Sequence, residues 1–481
     1  MDQERRAAVR PSRPAAAPGP EGPGPSFPRV AAALAAALLP LHLPEHSRPW
    51  RLTAKPRVEL IDCRSLTVKH EVPLAEGAAW KLGETEVSFS LEREKWTARV
   101  RASGASERTV TLSKLPSLLE IEAGPGGRGP YGLSVRASAD GKGLLVSSAQ
   151  GAPVPLGKET ALVVDSDRDG VLGSAGDGVV VPGVRTVAPF AGELWHRDAA
   201  AGLRRADGGG PEEWLLFDLP MPCPENGDHA AAWRLVQWRR QQAGMRPLRY
   251  DAALEDGLRK HASYCRRNSF RGHEEDRARQ GFTPEGAEAG LGSVLNYPFG
   301  SSTFLQEAEV QLSTLYHRNQ VLAGGLVRSA MVRHEGMFGM RTSTDPEAGL
   351  LEAAVAFPPH GMEDAPRRFH PDGEIPAPWE GSLRNPGVAV SILLPALHWN
   401  PDLPSPPELV VEGPRGPVAG RFHHPGRAPK GVPKDNFGNV ALVPSEPLPP
   451  LTLFQARVRV ALPELEGGGT FEYRWEFTTG R

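Results

Sequence analysis

The sequence predicts a multidomain chain: an all-β N-terminal region, an α+β centre and a C-terminal β-sandwich. Three patterns predict it. Residues 85–102 and 454–477 alternate apolar and polar side chains with period two, as strands with one buried face do. Residues 228–322 instead carry apolar stripes at helical spacing between capping residues. The 53 Gly and 49 Pro, set in no repeating period, imply many turns and short elements. A chain of 481 residues is long enough for several domains. Its formal net charge of −2 offers no global field for nucleic acid or an anionic membrane.

Residues 1–48 read as a disordered leader, rich in Arg, Pro and Ala. Within it, VAAALAAALLPLHL (Val30–Leu43) follows a basic stretch, as the core of a secretory signal does. The run is too short to span a bilayer, so no transmembrane segment is expected in the mature protein. The alternative is an Ala-rich tail on a cytoplasmic protein.

Residues 49–221 form the β-rich region. ETEVSFSLE sets Val87, Phe89 and Leu91 on one face, and KWTARVRAS does the same with Trp96, Ala98 and Val100. GLSVRAS and GLLVSSA, divided by ADGKG, read as a hairpin. TALVVDSDRDGVLGSAGDG (160–178) then runs a strand into Asp165, Asp167, Asp169 and Gly170. Acids at loop positions one, three and five with glycine at six match the first half of a calcium loop, because carboxylates on alternate residues of a tight turn converge and a hard cation relieves their repulsion. Position twelve is Gly176, and Asp177 stands one residue late. The expected cofactor is calcium at 165–177; the alternative is a metal-free surface turn. No helical pattern flanks the loop, so a switching EF-hand is excluded. Residues 197–213 read as a turn region.

Residues 222–357 turn helical. DHAAAWRLVQWRRQQAG starts at an Asp cap and stops at Gly244. A second helix starts at Asp251, with Leu254, Leu258, Ala262 and Cys265 on one stripe. SSTFLQEAEVQLSTLYHRNQVLA reads as a third, opened by a Thr303–Gln306 capping box and buried through Leu305, Leu312, Leu315 and Tyr316. MFGMRT and LLEAAVAFP read as strands. Residues 358–386 are a Pro-rich linker. Residues 387–481 are all β, ending in a hairpin of FQARVRVAL and TFEYRWEFTTG that packs on another sheet. The three cysteines, Cys63, Cys223 and Cys265, form no CxxC pair; either Cys223 bonds Cys265 or all are free thiols.

No HExxH, GxSxG or Walker loop occurs, so no catalytic motif is readable from spacing. One stretch, GHEEDRARQGFTPEGAEAG (272–290), gathers His273 with Glu285 and Glu288 beyond a TPEG turn. A histidine with converging carboxylates can bind zinc or position a water. The alternative is a solvated acidic loop.

RQQAGMRPLRYDAALEDGLRKHASYC, RGHEED, GFTPEGAEAG and LYHRNQVL, in that order, resemble the CAP superfamily of cysteine-rich secretory, antigen 5 and pathogenesis-related proteins, in its bacterial form. The resemblance implies an α-β-α sandwich with a cleft whose full form carries two His and two Glu and binds zinc. By motif, His273 matches the first cleft histidine and Glu288 the glutamate of a GEN-like turn, here Ala287-Glu288-Ala289. Thr314 stands near the place of the second glutamate, and LLEAAVAFP holds no second histidine. The reduced set counts against tight zinc binding. His317 falls in the structural SPxHR-like segment, and His261 is expected to pack in the core. PLPPLTLFQARVRV and YRWEFTTG are similar to bacterial Ig-like domains. Together these imply a secreted or cell-envelope protein that binds a lipid, glycan or protein ligand without catalysis. The alternatives are a metal-assisted hydrolase or peptidase using His273 with Glu288 or Glu285, and a purely structural surface protein.

Overall fold

The computed structural model describes residues 48–51, 72–74, 79–82, 85–92, 95–102, 106–112, 117–121, 131–137, 144–148, 150–167, 169–174, 176–208, 213–222, 227–297, 302–344, 354–369, 374, 377–378, 385–394, 403–462 and 469–481. The leader with its signal-like run, and both Cys63 and Cys223, lie outside them.

Alternation builds the first sandwich. Ala79–Leu82, Thr85–Glu92, Lys95–Ala102 and Arg108–Leu112 form one antiparallel sheet. Val72–Leu74, Leu144–Ser148, Tyr131–Ala137 and Ser117–Ile121 form the other, which includes the expected hairpin. Val87, Phe89, Trp96 and Ala98 meet Leu119, Leu133, Val135 and Val146 in a core of their own.

Two further four-stranded sheets follow. One runs Gly151–Leu156, Glu159–Val164, Gly178–Val180, Ala188–Pro189. The other runs Arg48–Arg51, Glu213–Asp218, Ala200–Arg205, Glu193–Trp195. Ala200–Arg205 lies inside the segment expected to be a turn. Its Ala-Ala-Gly start has weak strand propensity, and its neighbours impose the pairing. Gly202 is required there: a Cβ would stand 2.3 Å from the Phe217 ring.

Among the described residues the centre has five helices: α1 (Gly227–Gln242), α2 (Ala252–Arg267), α3 (Pro284–Leu291), α4 (Phe304–Ser313) and α5 (Tyr316–Leu322). Its mixed sheet runs Arg249–Tyr250, Leu326–His334, Met337–Thr344, Ser293–Asn296, with the first pair parallel. Adjacent residues of these strands go to opposite faces. Leu295, Val332 and Met337 pack with Leu258 and Ala262 of α2. Val294, Met331, Phe338 and Met340 pack with Trp233, Val236, Leu312 and Val321 of α1, α4 and α5. The result is an α-β-α arrangement.

Caps set the helix ends. The Asp251 carboxylate accepts the Ala253 and Leu254 N–H groups, and the Thr303–Gln306 capping box forms in both directions. Gly244, at φ +80°, closes α1 in the left-handed conformation. Three details differ from the sequence reading. Asp228 sits within the first turn of α1, and its carboxylate accepts N–H groups of Phe304 and Leu305, so it caps α4. The TPEG turn continues into α3, with Thr283 as N-cap and Pro284 in the first turn. The long third helix is broken at Thr314 because Glu374 takes the N–H groups of Leu315, Tyr316 and His317.

The C-terminal sheets start earlier than the expected boundary at 387. Val355–Phe357, read as a strand of the central domain, pairs with Val390–Leu393, alongside Asn439–Pro444 and Gly420–His423. Met362–Ala365, within the expected linker, pairs in parallel with Gly469–Thr479, in a five-stranded sheet with Leu453–Leu462, Glu408–Gly413 and Gly416–Pro417. Proline content signals an extended chain, but not what that chain pairs with. Phe454, Ala456, Val458, Val460, Tyr473, Trp475 and Phe477 are buried, as the alternation requires.

One apolar core runs from Val154 and Leu203 through Trp233 to Val390 and Trp475. Polar bonds cross the same boundaries. Gln241 of α1 accepts the Trp195 N–H and donates to Glu193 O, both at 2.8 Å. Arg239 pairs with Asp364 at 3.1 Å.

Candidate functional site

The residues beneath the 272–290 stretch form a buried polar lock. His261, on α2, directs Nδ1 to Glu275 Oε1 at 2.9 Å and Nε2 to Gly272 O at 3.0 Å. Both side chains are wholly buried. A carbonyl and a carboxylate can only accept, so the imidazole is a cation donating through both nitrogens. Burial opposes that charge, but the Cys265 sulfur, the Glu275 carboxylate and Gly272 O outweigh it and raise the pKa to about 8. Glu275 also accepts the Thr283 N–H, which ties the loop to the start of α3. Tyr297 Oη donates to Gly272 O and accepts Gly272 N–H, each at 3.0 Å.

Cys265 Sγ lies 3.5 Å from His261 Nε2 and 3.5 Å from Tyr297 Oη. Sulfur, imidazole and carboxylate therefore stand in the order of a nucleophile, its base and an orienting acid. The thiol is 4% exposed, and the Nε2 proton is committed to Gly272 O, so the constellation holds the loop rather than facing a substrate. His261 is buried, as expected from its place on α2, and its partner Glu275 carries no mark in the sequence. Glu275 is one of three consecutive acids, and nothing local marks which of them turns inward.

The three cleft candidates go elsewhere. His273 is exposed and its Nδ1 pairs with Gly290 O at 2.8 Å. Glu288 is 75% exposed and bonded to Arg341 at 2.6 Å. Glu285 faces Lys260 at 3.6 Å. Among the described residues, these three do not bring their donor atoms together within 4.8 Å as a ligand set. Thr314 is buried and donates to Gln311 O, and the His317 N–H goes to Glu374.

Arg318, one residue after His317, was not singled out in the sequence. It is buried at the boundary with the C-terminal sheets, 3.8 Å over the Phe357 ring, and donates to Ala389 O and Ser391 Oγ. Burial lowers its pKa to about 9, so it stays charged at neutral pH. Nearby Glu374 is pushed up to about 7 by burial, against three backbone N–H donors and Arg318 that favour its charge.

The aspartate loop is the second site. Asp165, Asp167 and Asp177 each place a carboxylate oxygen within 4.8 Å of the others. Asp177 reaches in from beyond Gly176, where a Cβ would meet Asp167 Oδ2 at 2.1 Å. Asp169 does not join them; it is exposed and accepts the Val171 N–H at 2.6 Å. Burial, followed by the neighbouring acids, raises Asp177 to about 8.

Residues 233–330, from within α1 into Leu326–His334, match the family model described as the Cysteine-rich secretory protein family, CAP. The chain carries a CAP-family domain. Its lock, its exposed His273 and its buried Arg318 all fall in the matched segment. A solved structure described as an extracellular protein containing a SCP domain, from Bacillus anthracis str. Ames, shares 11% identity over 60% of this chain and 99% of its own, with a TM-score of 0.22. A likeness that low bears on neither the fold nor the function of this chain. No curated protein matches. No described helix is long and apolar enough to cross a membrane.

Proposed function

We propose that the chain is a secreted or cell-envelope binding protein whose CAP domain takes a lipid, glycan or protein ligand without turning it over. One observation carries the reading: each titratable side chain of the 272–290 stretch discussed above already has a protein partner. His261 is a cation on Glu275, Nδ1 of His273 is held by Gly290 O, and Glu288 is held by Arg341. His273 keeps an Nε2 lone pair, but no described carboxylate pairs with it to orient or charge it, and a catalytic zinc needs several convergent ligands with an open position. The C-terminal sheets, in this reading, are an Ig-like module that presents the CAP domain or adds a binding surface.

The test uses the intact chain and His273→Ala, assayed for ester, peptide and glycoside hydrolysis with and without added zinc, and for retention of lipid, glycan and protein from culture medium. The binding reading expects background turnover in both proteins and a retained ligand in the wild type. Turnover abolished by His273→Ala at unchanged melting temperature would overturn it.

A further inference from the structure

We infer that Asp165, Asp167 and Asp177 form a binding site for a hard divalent cation, calcium, outside the CAP domain. Convergence of three carboxylates is the first observation. The second is independent of it. Asp165 is 0% exposed, and although Tyr131 and the Gly170 N–H bond its carboxylate, its Oδ1 has no hydrogen-bond partner. The loop's N–H groups are spent elsewhere: Gly170 N–H goes to Asp165 Oδ2, and those of Ser166, Gly173 and Ser174 go to Asp177. A buried carboxylate oxygen left without a donor is rare and costly, and a cation is the partner that satisfies it.

The donor set chooses the cation. All three ligands are carboxylate oxygens, which suit calcium, magnesium or manganese rather than the softer metals. Asp167 is exposed, so waters complete the shell on that side. A loop with adaptable geometry fits calcium better than the stricter octahedron of magnesium. Burial raises Asp165 to about 6 and Asp177 to about 8. A bound divalent cation reverses the balance and holds both ionised, so binding releases protons.

The place in the fold gives the site its consequence. The loop joins Glu159–Val164 to Gly178–Val180, and Val179, Val181 and Val184 share a core with Trp233 and Val236 of α1. Calcium there fastens the β-sheet against which the first CAP helix packs.

The loop also carries its own reporter. The Trp214 ring lies on Gly173, so close that a Cβ there would stand 2.1 Å from it. Terbium added to the intact chain is expected to give tryptophan-sensitised emission, displaced by calcium with an apparent Kd in the range of roughly 10 μM to 1 mM. Magnesium should displace it only at higher concentration. Asp165→Asn should weaken calcium by more than the roughly 10- to 100-fold typical of losing an outer-shell partner. Asp167→Asn, at an exposed position that does not threaten folding, should weaken it too. Calcium should raise the melting temperature of the wild type and leave that of the variants nearly unmoved. Absence of calcium-displaceable emission at millimolar calcium, or unchanged affinity in Asp167→Asn, would overturn the site. Equal displacement by magnesium would overturn the assignment of calcium.

Discussion

Glu275→Gln tests the lock beneath the CAP loop. The variant keeps the shape of the side chain and removes the charge that His261 faces at 2.9 Å with both groups fully buried. The His261 pKa is raised from its ordinary 6.5 to about 8. The folded state thus favours the cation, and the sign follows. The stabilisation is fully present below about pH 6.5 and is lost as pH rises through about 8. A shift of that size corresponds to about 2 kcal/mol. Breaking one side of a buried ion pair costs about 3–5 kcal/mol where the other charge stays uncompensated. Glu275→Gln should therefore cost about 3 kcal/mol near pH 6 and less near pH 8.5, where most of the imidazole is neutral; the difference stays below about 2 kcal/mol, because Cys265 and Gly272 O raise the pKa together with Glu275. The assay is urea unfolding of the intact chain by tryptophan fluorescence, wild type beside variant, at both pH values. Taking the difference between the two proteins cancels the titrations of Asp165, Asp177 and Glu374. A gap that is equal at the two pH values, or wider at pH 8.5, would refute the cationic lock.

Two further outcomes are expected. Asp228→Ala should cost about 1 kcal/mol and loosen the start of α4 rather than α1, read as faster amide hydrogen exchange at Phe304 and Leu305, because its carboxylate caps that helix across the fold. Glu374, with a folded pKa of about 7 against an ordinary 4.5, favours its neutral form, so the wild type should lose about 3 kcal/mol as pH rises from 4.5 through 7; Glu374→Gln should flatten that slope in urea titrations.

What could be read from the residues was local. Period-two alternation placed Val87, Phe89 and Trp96 inside one sandwich, and Phe454, Val458 and Trp475 inside another, because a strand's two faces are set by its own sequence. Asp251 and the Thr303–Gln306 box marked true helix starts, because a cap bonds within three residues of itself. Asp165, Asp167 and Asp169 were legible as acids on alternate residues, with Asp177 within reach of a short loop, but Asp169 turns out to solvent and only the other three converge. The helical run after Thr303 was also legible, but not its break.

Tertiary structure alone decided the rest, since the deciding partners are distant in sequence and carry no local mark. Glu374 ends one helix and starts another from a segment that reads as linker. Val355–Phe357 and Met362–Ala365 join sheets whose other strands come later in the chain. Among the three consecutive acids after His273, only packing selected Glu275 to turn inward onto His261, leaving His273 exposed and Glu288 on Arg341. Composition announced an acidic loop with a histidine. Whether its charges faced solvent, a metal or each other depended on burial, which the rest of the fold imposes.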